Sequence, residues 1–114
     1  DKQTAFGGSL YNAAVMACWG MVYLKTQEEN IACNQVVTEG NMKYIAPVYG
    51  RIRAICHAPD EEELANFFDH FERKGKARIS LEAAIYNDAC VMKIEPETKP
   101  SVKFNGQYAI LKNQ

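Results

Sequence analysis

The sequence predicts an α+β fold in which one long helix is wrapped by a curved, mainly antiparallel sheet. Two observations lead to this prediction. The segment 13–24 is apolar almost all round when drawn as a helix, so other elements have to cover it. Most of the remaining chain alternates apolar and polar residues with the period of two that is typical of strands.

The first predicted helix spans residues 8–29 and opens at two adjacent glycines, Gly7 and Gly8. Glycines leave the first backbone N–H groups of a helix uncovered, and such a terminus binds a carbonyl oxygen or an anion. The apolar run 13–24 is too short to cross a membrane, which takes about 20 residues. We therefore expect a helix buried in the protein core.

Two strands are predicted next, over residues 33–45 and 51–57, with Pro47 and Gly50 between them. In the first strand, alternation separates two faces, Val36, Thr38, Gly40, Met42 and Tyr44 on one and Val37, Glu39, Asn41, Lys43 and Ile45 on the other. Glycine in mid-strand indicates a β-bulge or a close backbone approach at Gly40.

A short amphipathic helix follows, from Asp60 as its N-cap to about Lys74. Glu63 completes a capping box, and Gly75 is a typical C-terminal stop. The last predicted strands cover residues 76–86, 89–94 and 102–111. The first two are joined by a turn at Asn87 and Asp88. Nothing divides the 114 residues, so we expect one domain, 1–114, whose edge strands pair with a second copy.

Composition excludes several classes of protein. The net charge is −1 and no basic stripe stands out, which disfavours nucleic-acid binding. No C-x-x-C pair occurs among Cys18, Cys33, Cys56 and Cys90, and no His/Cys/Asp cluster has metal-ligand spacing. No secretory leader is recognisable. We therefore expect free thiols in the cytoplasm, no metal and no cofactor.

Three segments carry a resemblance to a known family: Phe6-Gly7-Gly8-Ser9-Leu10-Tyr11, Met42-Lys43-Tyr44-Ile45-Ala46-Pro47-Val48 with Gly50, and Arg73-Lys74-Gly75-Lys76-Ala77-Arg78-Ile79. Together with the closing Phe104-Asn105-Gly106-Gln107-Tyr108, they resemble thioesterase domains of the YiiD C-terminal type. These are hot-dog-fold proteins, in which a further strand precedes the helix. The resemblance spans nearly the whole chain.

This resemblance implies hydrolysis of an acyl thioester of coenzyme A or acyl carrier protein in the bacterial cytoplasm. It also implies a homodimer or a dimer of dimers with sites at subunit interfaces. The chain departs from related thioesterases at two positions. Phe6 stands where many have histidine, and Val15 stands near where some have aspartate. The helix therefore lacks the usual acid.

Thioester hydrolysis requires donors for the developing oxyanion and a group that activates water. The candidate donors are the backbone N–H groups of Gly8 and Ser9. The alternative is that these glycines only permit a tight turn. Asn12 is the only strongly polar side chain between Leu10 and Leu24. Either it orients water or the thioester, or it binds a strand backbone across the core.

Glu39 is the best candidate for the general base, although an ordinary surface carboxylate is the competing interpretation. We expect Phe6, Gly7 and Tyr11 to contact the substrate. Arg78 belongs to a basic set that faces either coenzyme A phosphates, an acidic carrier or solvent, and the set comprises Arg51, Arg53, Lys74, Lys76 and Arg78. His57 and His70 fit surface or packing roles.

Two other functions remain open. A non-catalytic acyl-thioester-binding module, accompanying an acetyltransferase domain, would explain the missing helix carboxylate. It would bind acyl-CoA tightly without turnover. A hot-dog dehydratase is less favoured, because it needs an aspartate and a histidine that the helix does not offer.

Overall fold

The computed structural model describes residues 2–48, 51–87 and 99–113, with side chains from Gly8 onward. Its elements are α1 (Lys2–Glu28), β1 (Cys33–Tyr44), β2 (Ile52–Cys56), α2 (Glu61–Lys74), β3 (Lys76–Asn87) and β4 (Val102–Lys112). The four strands form one antiparallel sheet in the order β1-β4-β3-β2. The predicted α+β class is thus confirmed. The predicted strand 89–94, Asp88, Cys90 and Gly50 lie outside the described residues.

The α1 helix packs one face against the sheet. Its buried residues recur every four positions, at Leu10, Ala14, Cys18 and Val22. Between them, apolar side chains point away from the sheet, and Met16 is 60% exposed. Within this part of the chain the sheet covers one face of α1, so the predicted wrapping on all sides is not shown. An evenly apolar helix does not reveal from its sequence which face the sheet covers.

Two sheet side chains fasten α1 by donating hydrogen bonds to carbonyl oxygens in the middle of the helix. The Tyr108 hydroxyl of β4 donates to the Val15 carbonyl at 2.8 Å. The Gln35 amide of β1 donates to the Trp19 carbonyl at 3.2 Å. Since the two acceptors lie one helical turn apart, the pair fixes both the height and the rotation of α1 on the sheet.

A β-bulge interrupts β1 between Val37 and Glu39, where its register against β4 shifts. Before the bulge Val37 packs against the core, and after it Met42 does. The prediction that one alternation runs through the whole strand is therefore wrong, because the extra residue reverses which positions face α1. The bulge or close approach predicted near Gly40 is confirmed.

The α2 helix has the predicted ends. The Asp60 side chain accepts a hydrogen bond from the Glu63 N–H at 2.8 Å, and Gly75 closes the helix with φ of 75°. Among the described residues, strand β2 pairs with the last part of β3, from Ala83 to Asn87. Helix α2 packs against β3, where Phe67 is buried.

The sheet therefore has two distinct faces. We call the face toward α1 the inner face. Its residues on β3 and β4 are buried, and they include Ala77, Ile79, Leu81, Phe104, Tyr108 and Ile110. The opposite, outer face carries the alternate residues, among them Arg78, Ser80 and Ala109.

Candidate functional site

Three of the predicted site residues stand on one open side of α1. Gly8, Ser9 and Asn12 are all exposed, and residues three or four apart share a helix face. A Cβ atom added at Gly8 would meet nothing within 4 Å. A ligand can therefore approach the helix closely at this turn.

The predicted start of α1 is wrong by six residues, since the helix begins at Lys2 rather than Gly8. In an α-helix each N–H bonds to the carbonyl four residues earlier. The amides of Gly8 and Ser9 therefore lie within the helical ladder and not at its free first turn. The donors that remain available to a ligand at this turn are the side chains of Ser9 and Asn12.

Asn12 is exposed. The interpretation that it binds a strand backbone across the core is therefore wrong, because its side chain faces away from the sheet. The sequence does not reveal the rotation of α1 on the sheet. The apolar run that surrounds Asn12 contains both the buried and the open face of α1.

Tyr11 joins this turn of α1 to the sheet. Its ring meets Phe104 edge to face, with centroids 5.8 Å apart and planes at 80°. A Cβ atom at Gly40 would overlap the Tyr11 hydroxyl and lie 3.1 Å from Phe104 Cε1. Gly106 of β4 pairs directly with Gly40. Tyr11, predicted to contact substrate, is thus partly buried over a glycine pair.

Glu39 and Arg78 lie elsewhere. Glu39 is exposed and pairs with Gln107 of the outer face. Arg78 is exposed on the outer face of β3, between the buried Ala77 and Ile79. One copy of the chain therefore does not bring these two side chains to the open side of α1. Phe6 and Gly7 lie outside the residues whose side chains are described.

The core holds a thiol pair that the sequence did not indicate, because Cys18 and Cys56 are far apart along the chain. The Cys18 thiol hydrogen-bonds to Cys56, and this bond together with burial raises the pKa of Cys18. Accepting that bond lowers the pKa of Cys56, since it stabilises the thiolate. Burial also raises the pKa of the adjacent Tyr108 hydroxyl.

In the described part of the chain, no group of three or more His, Cys, Asp or Glu side chains is placed so that it could hold a metal ion. None of the helices in residues 2–48, 51–87 and 99–113 is long and apolar enough to cross a membrane.

The fold places the chain in a class of α+β domains found among proteins described as thioesterases. A structure described as the putative thioesterase from Shewanella oneidensis superposes with a TM-score of 0.70 at 24% identity, over 93% of this chain and 64% of that one. A protein of unknown function from Pseudomonas aeruginosa, described as a probable thioesterase, gives 0.54 at 18% identity, over 71% and 48%.

The chain belongs to the family described as "Putative thioesterase (yiiD_Cterm)", whose sequence model matches residues 1–112. The family resemblance predicted from the segments 6–11, 42–50 and 73–79 is thereby confirmed. The chain spans 64% of the Shewanella protein and 48% of the Pseudomonas protein.

Proposed function

We propose that this domain hydrolyses an acyl thioester of coenzyme A or acyl carrier protein in the cytoplasm. The supporting observation is the open turn of α1, where Gly8 leaves space and two polar side chains share one exposed face. Membership of the thioesterase family adds to this support. The proposal includes the hot-dog arrangement, in which further strands complete the cover of α1.

The first step is binding of the thioester carbonyl. Ser9 and Asn12 stand at positions i and i+3, so a hydroxyl and an amide donor can reach one oxygen atom. These bonds strengthen as the carbonyl oxygen becomes an oxyanion. Loss of a single such donor lowers rates by roughly 10²–10³. Gly8 keeps the approach to the two donors clear.

The second step is activation of water. In our proposal Glu39 takes a proton from water as the oxygen attacks the carbonyl carbon. The tetrahedral intermediate then expels the thiolate, which recovers that proton, so a carboxylic acid and a thiol leave. Because Glu39 of the same chain faces away from α1, we propose that a second copy supplies this carboxylate.

An edge strand supports the dimer in this proposal. Strand β1 stands first in the sheet order, and its outer edge pairs with no strand in the described part of the chain. Unpaired strand edges are sites at which a second copy adds. If two copies met near β1, Glu39 of one copy would lie toward the open turn of α1 in the other. A dimer of dimers is compatible with this arrangement.

The test is thiol release from a panel of acyl-CoA chain lengths, followed with a thiol reagent. We expect Asn12→Ala to lower kcat by at least tenfold at unchanged thermal stability, because the side chain is exposed. Gln27→Ala, an exposed amide at the other end of α1, is the matched control. Absence of release above the spontaneous rate from every chain length would overturn the proposal.

A second function has one observation in its favour. No acidic residue occurs in α1 between Ala5 and Gln27, so the helix itself offers no group to activate water. The domain would then bind acyl thioesters for an accompanying acetyltransferase domain. Submicromolar binding of an acyl-CoA with no thiol release would favour this function over hydrolysis.

A further inference from the structure

The outer face of the sheet carries a groove of about 880 Å³ beside α2. One row of paired residues crosses its floor, Val36 on β1, Ala109 on β4 and Arg78 on β3. The small side chain of Ala109 between the larger Val36 and Arg78 leaves the floor open. The neighbouring row adds Leu111 beside Lys76.

The floor of the groove includes two exposed aliphatic side chains. Val36 is 41% exposed and Leu111 is 40% exposed, although both are large aliphatic residues on one strand pair. Apolar surface of this kind next to charged residues is typical of ligand or interaction sites. Together with Ala109, which pairs with Val36 and shares β4 with Leu111, these two side chains form an apolar strip along the groove.

Cations border this strip on its β3 side. Lys76 and Arg78 both line the groove, while Glu63 of α2 is the one carboxylate on its wall among the described residues. The described lining therefore carries a net positive charge. A guanidinium group matches a carboxylate with two parallel hydrogen bonds.

His70 of α2 adds a polar group on the same wall. Its Nδ1 lies 2.8 Å from the Lys76 carbonyl oxygen. Because a carbonyl only accepts, Nδ1 carries the hydrogen, and the ring orientation is fixed by this bond. The hydrogen-bonded trio of Thr38, Gln107 and Ser80 lies at one end of the groove.

We propose that this groove is a second binding site, one for an amphipathic carboxylate such as a long-chain fatty acid. The alkyl chain lies on the strip of Val36, Ala109 and Leu111, and the carboxylate pairs with Arg78 and Lys76. This inference stands without the proposed hydrolysis, because the groove lies across the sheet from the open face of α1.

Displacement of a fluorescent polyene fatty acid by palmitate, below its micelle concentration, tests the site. We expect palmitate to bind. The Arg78→Gln substitution should lower the affinity for palmitate roughly tenfold, because the charged hydrogen bonds are lost. Val36→Ser should weaken it through loss of apolar contact. Lys43→Gln, a cation elsewhere on β1, should leave binding unchanged. Methyl palmitate, which has no carboxylate, should bind the unchanged chain about as weakly as palmitate binds the Arg78→Gln variant.

Four results would each overturn the inference. The first is that palmitate fails to displace the probe, and the second is that it binds Arg78→Gln and Val36→Ser as tightly as the unchanged chain. The third is competition by coenzyme A without an acyl chain as strong as that of palmitate, which would make this a nucleotide site. Self-association abolished by Val36→Ser, in place of fatty-acid binding, would show that a second copy covers the groove. None of these results depends on thioester hydrolysis.

Discussion

The Tyr11 hydroxyl lies against the backbone of Gly40, so closely that no side chain fits between α1 and β1 at this point. This contact holds the turn that presents Ser9 and Asn12 against the bulged strand that carries Glu39. The identity of residue 40 therefore sets the distance between the helix and the strand.

We predict that Gly40→Ala destabilises the protein by about 1–3 kcal/mol, the usual effect of overpacking. The added methyl group collides with the Tyr11 hydroxyl, so Tyr11→Phe in the same chain should recover part of that loss. Chemical denaturation of the two single variants and the double variant measures the coupling. Additive effects would show that the Tyr11 hydroxyl is not the obstacle.

Gly8 and Gly20 provide a matched pair on α1, because a Cβ atom at either position meets nothing within 4 Å. Alanine favours a helix over glycine by about 0.8–1.0 kcal/mol. Both Gly8→Ala and Gly20→Ala should therefore raise the melting temperature. In the thiol-release assay only Gly8→Ala should lower activity, because it alone narrows the approach to Ser9 and Asn12. Equal activity of both variants would remove the proposed role of Gly8.

Mixing two inactive variants tests whether Glu39 acts on the other subunit. Asn12→Ala and Glu39→Gln each damage every site of their own dimer. In an equimolar mixture, half of the dimers pair one variant with the other, and each keeps one intact site. We expect recovery of about a quarter of full activity. No recovery after verified subunit exchange would place both groups in the same chain or exclude Glu39.

The thiol pair in the core predicts an order of chemical reactivity. Because a thiolate is the reactive form, the lowered pKa of Cys56 should make it alkylate before Cys18 and Cys33, whose pKa values are raised. Mass spectrometry after brief iodoacetamide treatment measures the order. Cys18→Ala removes the donor and should slow alkylation of Cys56. Faster alkylation in that variant would mean that access, and not the hydrogen bond, controls the rate.

Local sequence signals predicted α2, β3, β4 and the irregularity of β1. The ends of α2 followed from Asp60 and Gly75, whose roles depend on the residues beside them. Strands β3 and β4 followed from clean alternation, because each buries one face throughout. Gly40 predicted the irregularity of β1, since glycine in a strand usually has a steric reason.

The arrangement of the candidate site was harder to predict, because it depends on contacts between distant segments. An apolar helix gives no indication of its buried face, so the sequence leaves open whether Asn12 faces the core or a ligand. The β-bulge reverses which residues of β1 point toward α1, so the alternation differs between the two halves of the strand. Which side Glu39 occupies therefore depends on its pairing with Gln107. The separation of Arg78 from α1 likewise depends on which face of the sheet the helix covers.

The two hydrogen bonds from Tyr108 and Gln35 to successive turns of α1 limit how the helix can move. Rolling about its axis, or sliding by a residue, would break both at once. Bending at the ends leaves both intact. Any adjustment to an incoming molecule should thus be a local opening of the first turns of α1. The direction in which Ser9 and Asn12 point is then set by the hydrogen bonds that the sheet makes to the middle of the helix.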